Sequence, residues 1–341
     1  APRPDPRRDH PMRSLRLLAV SLLLVPLAAA CGGDDGGDGG TTVKFGYTAD
    51  FAGAATLAAA DKLDLWKKAG LKPELKVFTN GPLQIQALGA GDLDFGYIGP
   101  GATWLPASGK AKIVAVNMLG QADRIIATPK SGIKDIAGLR GKKVAVPEGT
   151  SGDMLLQLAL KKAGMAPKDV ERVPMDPSTV VTAFSSGKVD AAAIWYPLID
   201  TIKKRTPDLV ELSKNADFFP AMSFPSSFVA RNEIVKDDSA TARKVVKVLQ
   251  DANDWVNGHT TEAEETAAKF LKVPPAQFKG SSAVTKTFTS AELIEYSGDG
   301  TVNGWFKGLS DIFVAMGKLP SSPDPATYYT ADLYTNAAAG K

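Results

Sequence analysis

Two stretches decide the fold: "ALGAGDLDFGYI" at 87–98 and "AFSSGKVDAAAI" at 183–194. Both read A-[LF]-x-x-G-x-[LV]-D-x-x-x-I, displaced by 96 positions. A second pair, "WKKAGLKP" (66–73) and "LKKAGMAP" (160–167), recurs at a displacement of 94 and precedes the first pair in each half. Two matches in one order at nearly constant spacing define an internal repeat.

Working outward, each repeat unit opens on a short apolar strand, "VKFGY" (43–47) or "KVAVP" (143–147). A helix follows and stops at K-K-A-G, with Lys in its last turn and Gly just past it. A second strand comes next, "ELKVF" (74–78) or "VERVPM" (170–175), then a helix ending near Gly91 or Gly187. The third strand is "LDFGYIG" (93–99) or "VDAAAIW" (189–195). Strand–helix–strand–helix–strand demands right-handed crossovers, hence an α/β chain with mainly parallel sheets and helices on both faces. Two units predict two similar lobes: lobe 1 over 42–128 plus 226–341, and lobe 2 over 129–225 with the crossing segment. "DRIIATP" (123–129) and "MSFPSSFVAR" (222–231) are the expected pair of hinge strands, and the apolar spacing from about Lys236 to Ala315 predicts helices that close lobe 1.

The 341 residues carry 40 Lys and Arg against 37 Asp and Glu. Residues 1–30 hold five of the Arg and two of the Asp, which leaves the body with 35 of each sign. A neutral body calls for no polyanion, so nucleic acid is not an expected partner. The surplus belongs to "MRSLRLLAVSLLLVPLAAAC": Arg13 and Arg16, an apolar run too short to span a bilayer, and three Ala before a single cysteine, Cys31. This reads as a signal peptide over 1–30, with 1–11 as spurious upstream translation. Cys31 is the expected lipidation site, although Ala28 stands where such signals usually carry Leu. "GGDDGGDGG" (32–40) cannot pack, and 31–41 reads as a lipidated cysteine with a flexible tether.

Ligands of open parallel sheets bind beyond the carboxyl ends of the strands. Those ends contain the candidate site. In "VAVPEGTSGDMLLQLAL" (144–160), Gly149 and Gly152 lie too close together for a nucleotide loop and no Lys follows. What remains is a helix N-terminus with Thr150, Ser151 and Gly152 facing an anion, or a helix that Ser151 merely caps. Gly99 and Gly101 of "YIGPGATW" hold the equivalent place in lobe 1. Asn80 in "TNGP" either donates its amide or sits in a turn. Tyr47, Asp50 and Phe51 follow the first strand and face the cleft if the halves are symmetric. Trp195 supplies an aromatic wall, and Gln121 and Ser226 flank the crossings.

The motif order resembles that of bacterial ABC-importer solute-binding proteins for taurine, aliphatic sulfonates and nitrate. "FTNGPLQIQALGAGDLDFGYIG" (78–99), "IAGLRGKKVAVPEGTS" (136–151), "GKVDAAAIWYP" (187–197) and "AMGKLPSSPDPATYYTADLY" (315–334) carry the likeness. It implies a two-lobed periplasmic-binding-protein-like fold of type II, closing by a hinge of two crossing strands on a small anionic organic solute. The partners implied are an ABC permease and ATPase and a membrane reached through a lipid anchor, with the receptor a monomer outside the cytoplasm. Taurine would need a carboxylate for its ammonium, with Asp50 and Glu148 as candidates; the absence of an acid near Ser226 points instead to a neutral-tailed sulfonate, a carboxylate or an aromatic solute. Two alternatives stay open: an enzyme on the same fold, like the pyrimidine-precursor synthases, or an extracytoplasmic sensor lipoprotein. No catalytic residue, metal ligand or cofactor site is read. The acidic cluster 262–265 reads as a solvated helix face, and His259 as a surface residue.

Overall fold

The computed structural model describes residues 40–339. The expected signal segment, Cys31 and the tether up to residue 39 lie outside the described residues. Among the described residues eleven strands form two sheets. They are β1 (Thr41–Thr48), β2 (Leu71–Phe78), β3 (Phe95–Ile98), β4 (Lys112–Gly120), β5 (Asp123–Ala127), β6 (Lys143–Val146), β7 (Glu171–Pro174), β8 (Ala191–Trp195), β9 (Val210–Lys214), β10 (Pro225–Ala230) and β11 (Thr285–Lys286). The first sheet runs β11-β4-β10-β3-β1-β2 and the second β7-β6-β8-β5-β9.

The repeat is a repeat of structure. β2-β1-β3 and β7-β6-β8 are matching parallel triplets. In each, the Asp of the shared motif ties the triplet together. Asp94 Oδ2 accepts from Lys44 N at 3.0 Å, and Asp190 Oδ2 from Lys143 N at 2.9 Å. The same two residues accept at their backbone carbonyls from the next strand over, Arg231 N and Thr128 N, both at 2.9 Å. The Gly stops Gly70, Gly91, Gly164 and Gly187 all have φ between 67° and 78°, where a side chain would be strained.

Beside each triplet lies one reversed strand, β10 in lobe 1 and β5 in lobe 2, each antiparallel to both neighbours. The remaining strands run with the triplet, save β11, so both sheets are mainly parallel in direction. Because β5 pairs wholly within the second sheet, the outward crossing falls at 121–122 and not after 128 as expected. Strand β4, which precedes it, belongs to lobe 1. The return crossing is 215–224. The two crossings are stitched together: Gly120 N donates to Phe224 O at 2.9 Å, and Asp123 N to Asn215 Oδ1 at 2.9 Å.

The lobe 1 core centres on Phe45, fully buried with Trp66, Phe95 and Phe228 at ring-centroid distances of 6.1, 5.7 and 5.8 Å. Removing such a ring would cost about 3–5 kcal/mol. Helices Ser239–Gly258, Thr260–Phe270 and Ala331–Ala338 cover this core. A separate apolar cluster joins the lobes: Met154 and Leu158 of helix Ser151–Lys162 pack with Leu309 and Phe313 of helix Thr301–Ala315, Leu319, and Phe224 of the return crossing. The expected long helical tail is interrupted at 271–289, a loop that returns to the cleft. Among the described residues no helix is long and apolar enough to cross a membrane.

Candidate functional site

Between the lobes lies a narrow cleft of about 70 Å³, lined by residues of both sheets. The lobes meet across its mouth. A Cβ on Gly101 would stand 2.1 Å from the carbonyl carbon and oxygen of Thr150 and 2.3 Å from Ser151 N. Only glycine permits that approach. At the rim, Lys318 of lobe 1 reaches Glu148 of lobe 2 at 3.2 Å and lies 5.5 Å from the Trp104 ring centre. Glu148 is therefore a rim residue and not a carboxylate of the cleft.

Of the residues expected at the site, Asp50, Phe51, Asn80, Gly99, Thr150, Ser151, Trp195 and Ser226 line the cleft. Asp50 and Asn80 do so as helix caps. Asp50 Oδ1 accepts from Gly53 N at 2.8 Å and Asn80 Oδ1 from Leu83 N at 3.0 Å, each satisfying an orphan donor of the first turn. Ser226, buried, donates to Met118 O at 3.1 Å. Trp195 sits at the end of β8, directly paired with Asp123 at the start of β5.

Four expectations are corrected. Tyr47 lies one residue short of the strand end, and alternation along β1 turns it to the helix side, where its ring packs 5.4 Å from Phe270; Thr48 lines the cleft in its place. Gly101 is absent from the lining and serves the contact between lobes. Gln121 takes part through its backbone, its N–H donating to Val284 O at 2.9 Å and its carbonyl accepting from Arg124. Gly152 is a packing residue, since a Cβ there would stand 2.6 Å from Ala193 O on β8. Gly152→Ala is accordingly expected to lower stability by about 1–3 kcal/mol. Chemical denaturation measures it, and an unchanged midpoint with weakened solute binding would return Gly152 to the site.

The Gly loop is engaged within the protein. Thr150 Oγ1 donates to Pro147 O at 2.6 Å, and Ser151 Oγ donates to Asp123 Oδ1 at 2.6 Å. Gly149 N donates to Asp153 Oδ2 at 2.9 Å. Asp153 is a buried carboxylate in the first turn of its own helix, paired with Arg172 at 2.6 Å. The helix N-terminus thus meets a negative charge supplied by the chain itself.

Sequence reasoning missed Asp123. It is 3% exposed, lines the cleft, and accepts from Ser151 and from Asn215 Nδ2 at 3.2 Å. Burial pushes its carboxyl up to about 6, against the opposing effect of Ser151, Asn215 and the Arg124 charge, and with a further push from Asp50. Asp50 is raised too, mainly by burial. Tyr97, another missed cleft residue, is raised well above the usual phenol range by burial and then by the Asp50 charge. The outer wall comes from Ser281, Val284 and Thr285 of the 271–289 loop. Glu264 holds that loop, accepting from Gly280 N at 2.9 Å, Ser282 N at 2.8 Å and Ser282 Oγ at 2.6 Å. Glu264 is only 7% exposed, which corrects the reading of 262–265 as wholly solvated. Among the described residues no group of three or more His, Cys, Asp or Glu could hold a metal ion.

A two-lobed fold with a lined interlobe cleft defines a class, the periplasmic-binding-protein type. The chain belongs to the NMT1/THI5-like family, whose pattern matches residues 52–263. It is 51% identical over 324 residues to a Brucella abortus protein named as a binding protein, covering 95% of this chain and 99% of that one. It is 25% identical to the taurine-binding periplasmic protein of Escherichia coli, over 82% of this chain and 88% of the relative. In structure it resembles the alkanesulfonate-binding protein SsuA from Xanthomonas axonopodis bound to MOPS, with a TM-score of 0.69 and 22% identity, covering 85% of this chain and 98% of that one.

Proposed function

We propose that this protein is the solute receptor of an ABC importer, held outside the cytoplasmic membrane by a lipid on Cys31 and acting as a monomer. The interlobe cleft carries this reading. Its walls come from both lobes, its floor from the stitched crossings, and Gly101 lets the lobes touch when it is shut. A solute that contacts both lobes favours the closed form over the open one. The closed receptor then delivers it to a permease powered by a separate ATPase. The relatives named as binding proteins support the same reading.

The test is a thermal-shift screen of the purified protein against small organic solutes, followed by recovery of the solute from the denatured complex. A ligand at a hundredfold excess over Kd should stabilise by about 2.7 kcal/mol and should be recovered unchanged. Conversion of the solute during incubation would overturn the receptor in favour of an enzyme.

A further inference from the structure

We infer, resting on the receptor reading, that the solute held in this cleft carries a protonated amine on a compact, largely apolar or aromatic body. Two carboxylates line the cleft, Asp50 from the end of β1 and Asp123 from the start of β5. Among the described residues of the lining there is no Lys, Arg or His.

An anion in this space would meet two like charges, with Arg124 behind Asp123 as the cation that offsets them in part. The side-chain donors expected for the anion are already occupied, the Thr150 hydroxyl by Pro147 O and the Ser151 hydroxyl by Asp123, and the Gly149 N–H is held by Asp153. The nearest guanidinium, Arg124, bonds Glu211 at 3.0 Å and the carbonyls of Gln121 and Asp123, and lies against the Tyr196 ring.

Thr48 Oγ1 is buried beside the Asp50 carboxylate, which it helps to hold. An ammonium, with three donors and a positive charge, answers the two carboxylates of this lining. The body attached to it would lie among Phe51, Tyr97 and Trp195, whose ring faces favour a cation and an apolar frame alike. The raised carboxyl of Asp123 fits the same picture, because a bound ammonium supplies the counter-charge that burial withholds.

The experiment is a calorimetric and thermal-shift series on the receptor with sets that share one carbon skeleton: primary amines such as benzylamine and cyclohexylamine, their alcohols, and their carboxylates and sulfonates. The amines are expected to bind at least about tenfold tighter than the matching alcohols, and the anions weakest. Asp50→Asn keeps the helix cap, because Asn caps as well as Asp, so its fold is preserved. It is expected to lose about tenfold in amine affinity with the alcohols unchanged, and Asp123→Asn should behave in the same sense. If a sulfonate or carboxylate is the tightest binder, or Asp50→Asn leaves amine affinity unchanged, the amine is overturned and the receptor stands. If no member of any set binds while a wider solute screen finds neutral or anionic ligands, the amine again fails alone; turnover of a bound solute removes both readings.

Discussion

Gly101→Ala is expected to hold the two lobes apart. The added methyl would stand 2.1 Å from the Thr150 carbonyl group and 2.3 Å from the Ser151 nitrogen. Backbone in two packed elements must give way, because neither neighbour is the end of a flexible side chain. Overpacking of this kind costs about 1–3 kcal/mol, and here the cost falls on the closed form alone, since parting the lobes removes the clash. Solute affinity should therefore fall about five- to hundredfold, the factor that this energy represents, while the melting temperature without solute stays unchanged. Small-angle scattering should show the variant remaining extended under solute concentrations that compact the parent. Parent-like affinity would mean that the contact between 101 and 150–151 plays no part in the binding-competent form.

The second large effect is on pH. The folded state holds the Asp123 proton more tightly than the unfolded chain does, because burial raises the carboxyl to about 6. Stability from this group is complete below the ordinary Asp range and is lost as pH rises through about 6. The full loss is about 3 kcal/mol, of which about 2 kcal/mol falls between pH 4.5 and 7.5. Asp50, Tyr97, Arg124, Ser151 and Asn215 face the same carboxylate, so the comparison with Asp123→Asn isolates its share. Urea denaturation at the two pH values should show the parent losing about 2 kcal/mol relative to the variant. Parallel pH curves would place Asp123 in contact with water, as an ordinary carboxylate. A cationic solute should reverse the trend, binding more tightly as Asp123 ionises.

The parts legible in the sequence are those set by short-range rules. The repeat located β1 to β3 and β6 to β8, and its shared Asp proved to be the residue that ties each triplet to its next strand. The helix stops were readable because a positive φ needs glycine. The placement of Tyr47 failed on a single step of strand alternation, which no periodicity count resolves at a strand end. Glu264 was readable in principle: helical spacing puts it on the stripe of Ala263, Ala267 and Ala268, all buried. The cluster of acids around it masked that signal.

By itself, the sequence determined two pseudo-symmetric α/β lobes joined by two crossings, with strand ends, a Gly loop and an aromatic turned toward one cleft. These features follow from local hydrogen bonding and the spacing of apolar residues, which act within a few turns or strands. Tertiary structure alone decided what that cleft is charged to receive. Thr150 and Ser151 present two free hydroxyls in the sequence, but the fold hands one to Pro147 and the other to Asp123. Asp50 and Asp123 belong to different lobes and line one cleft only once the crossings are stitched and the lobes meet. The desolvation and repulsion that define the site arise from that closure.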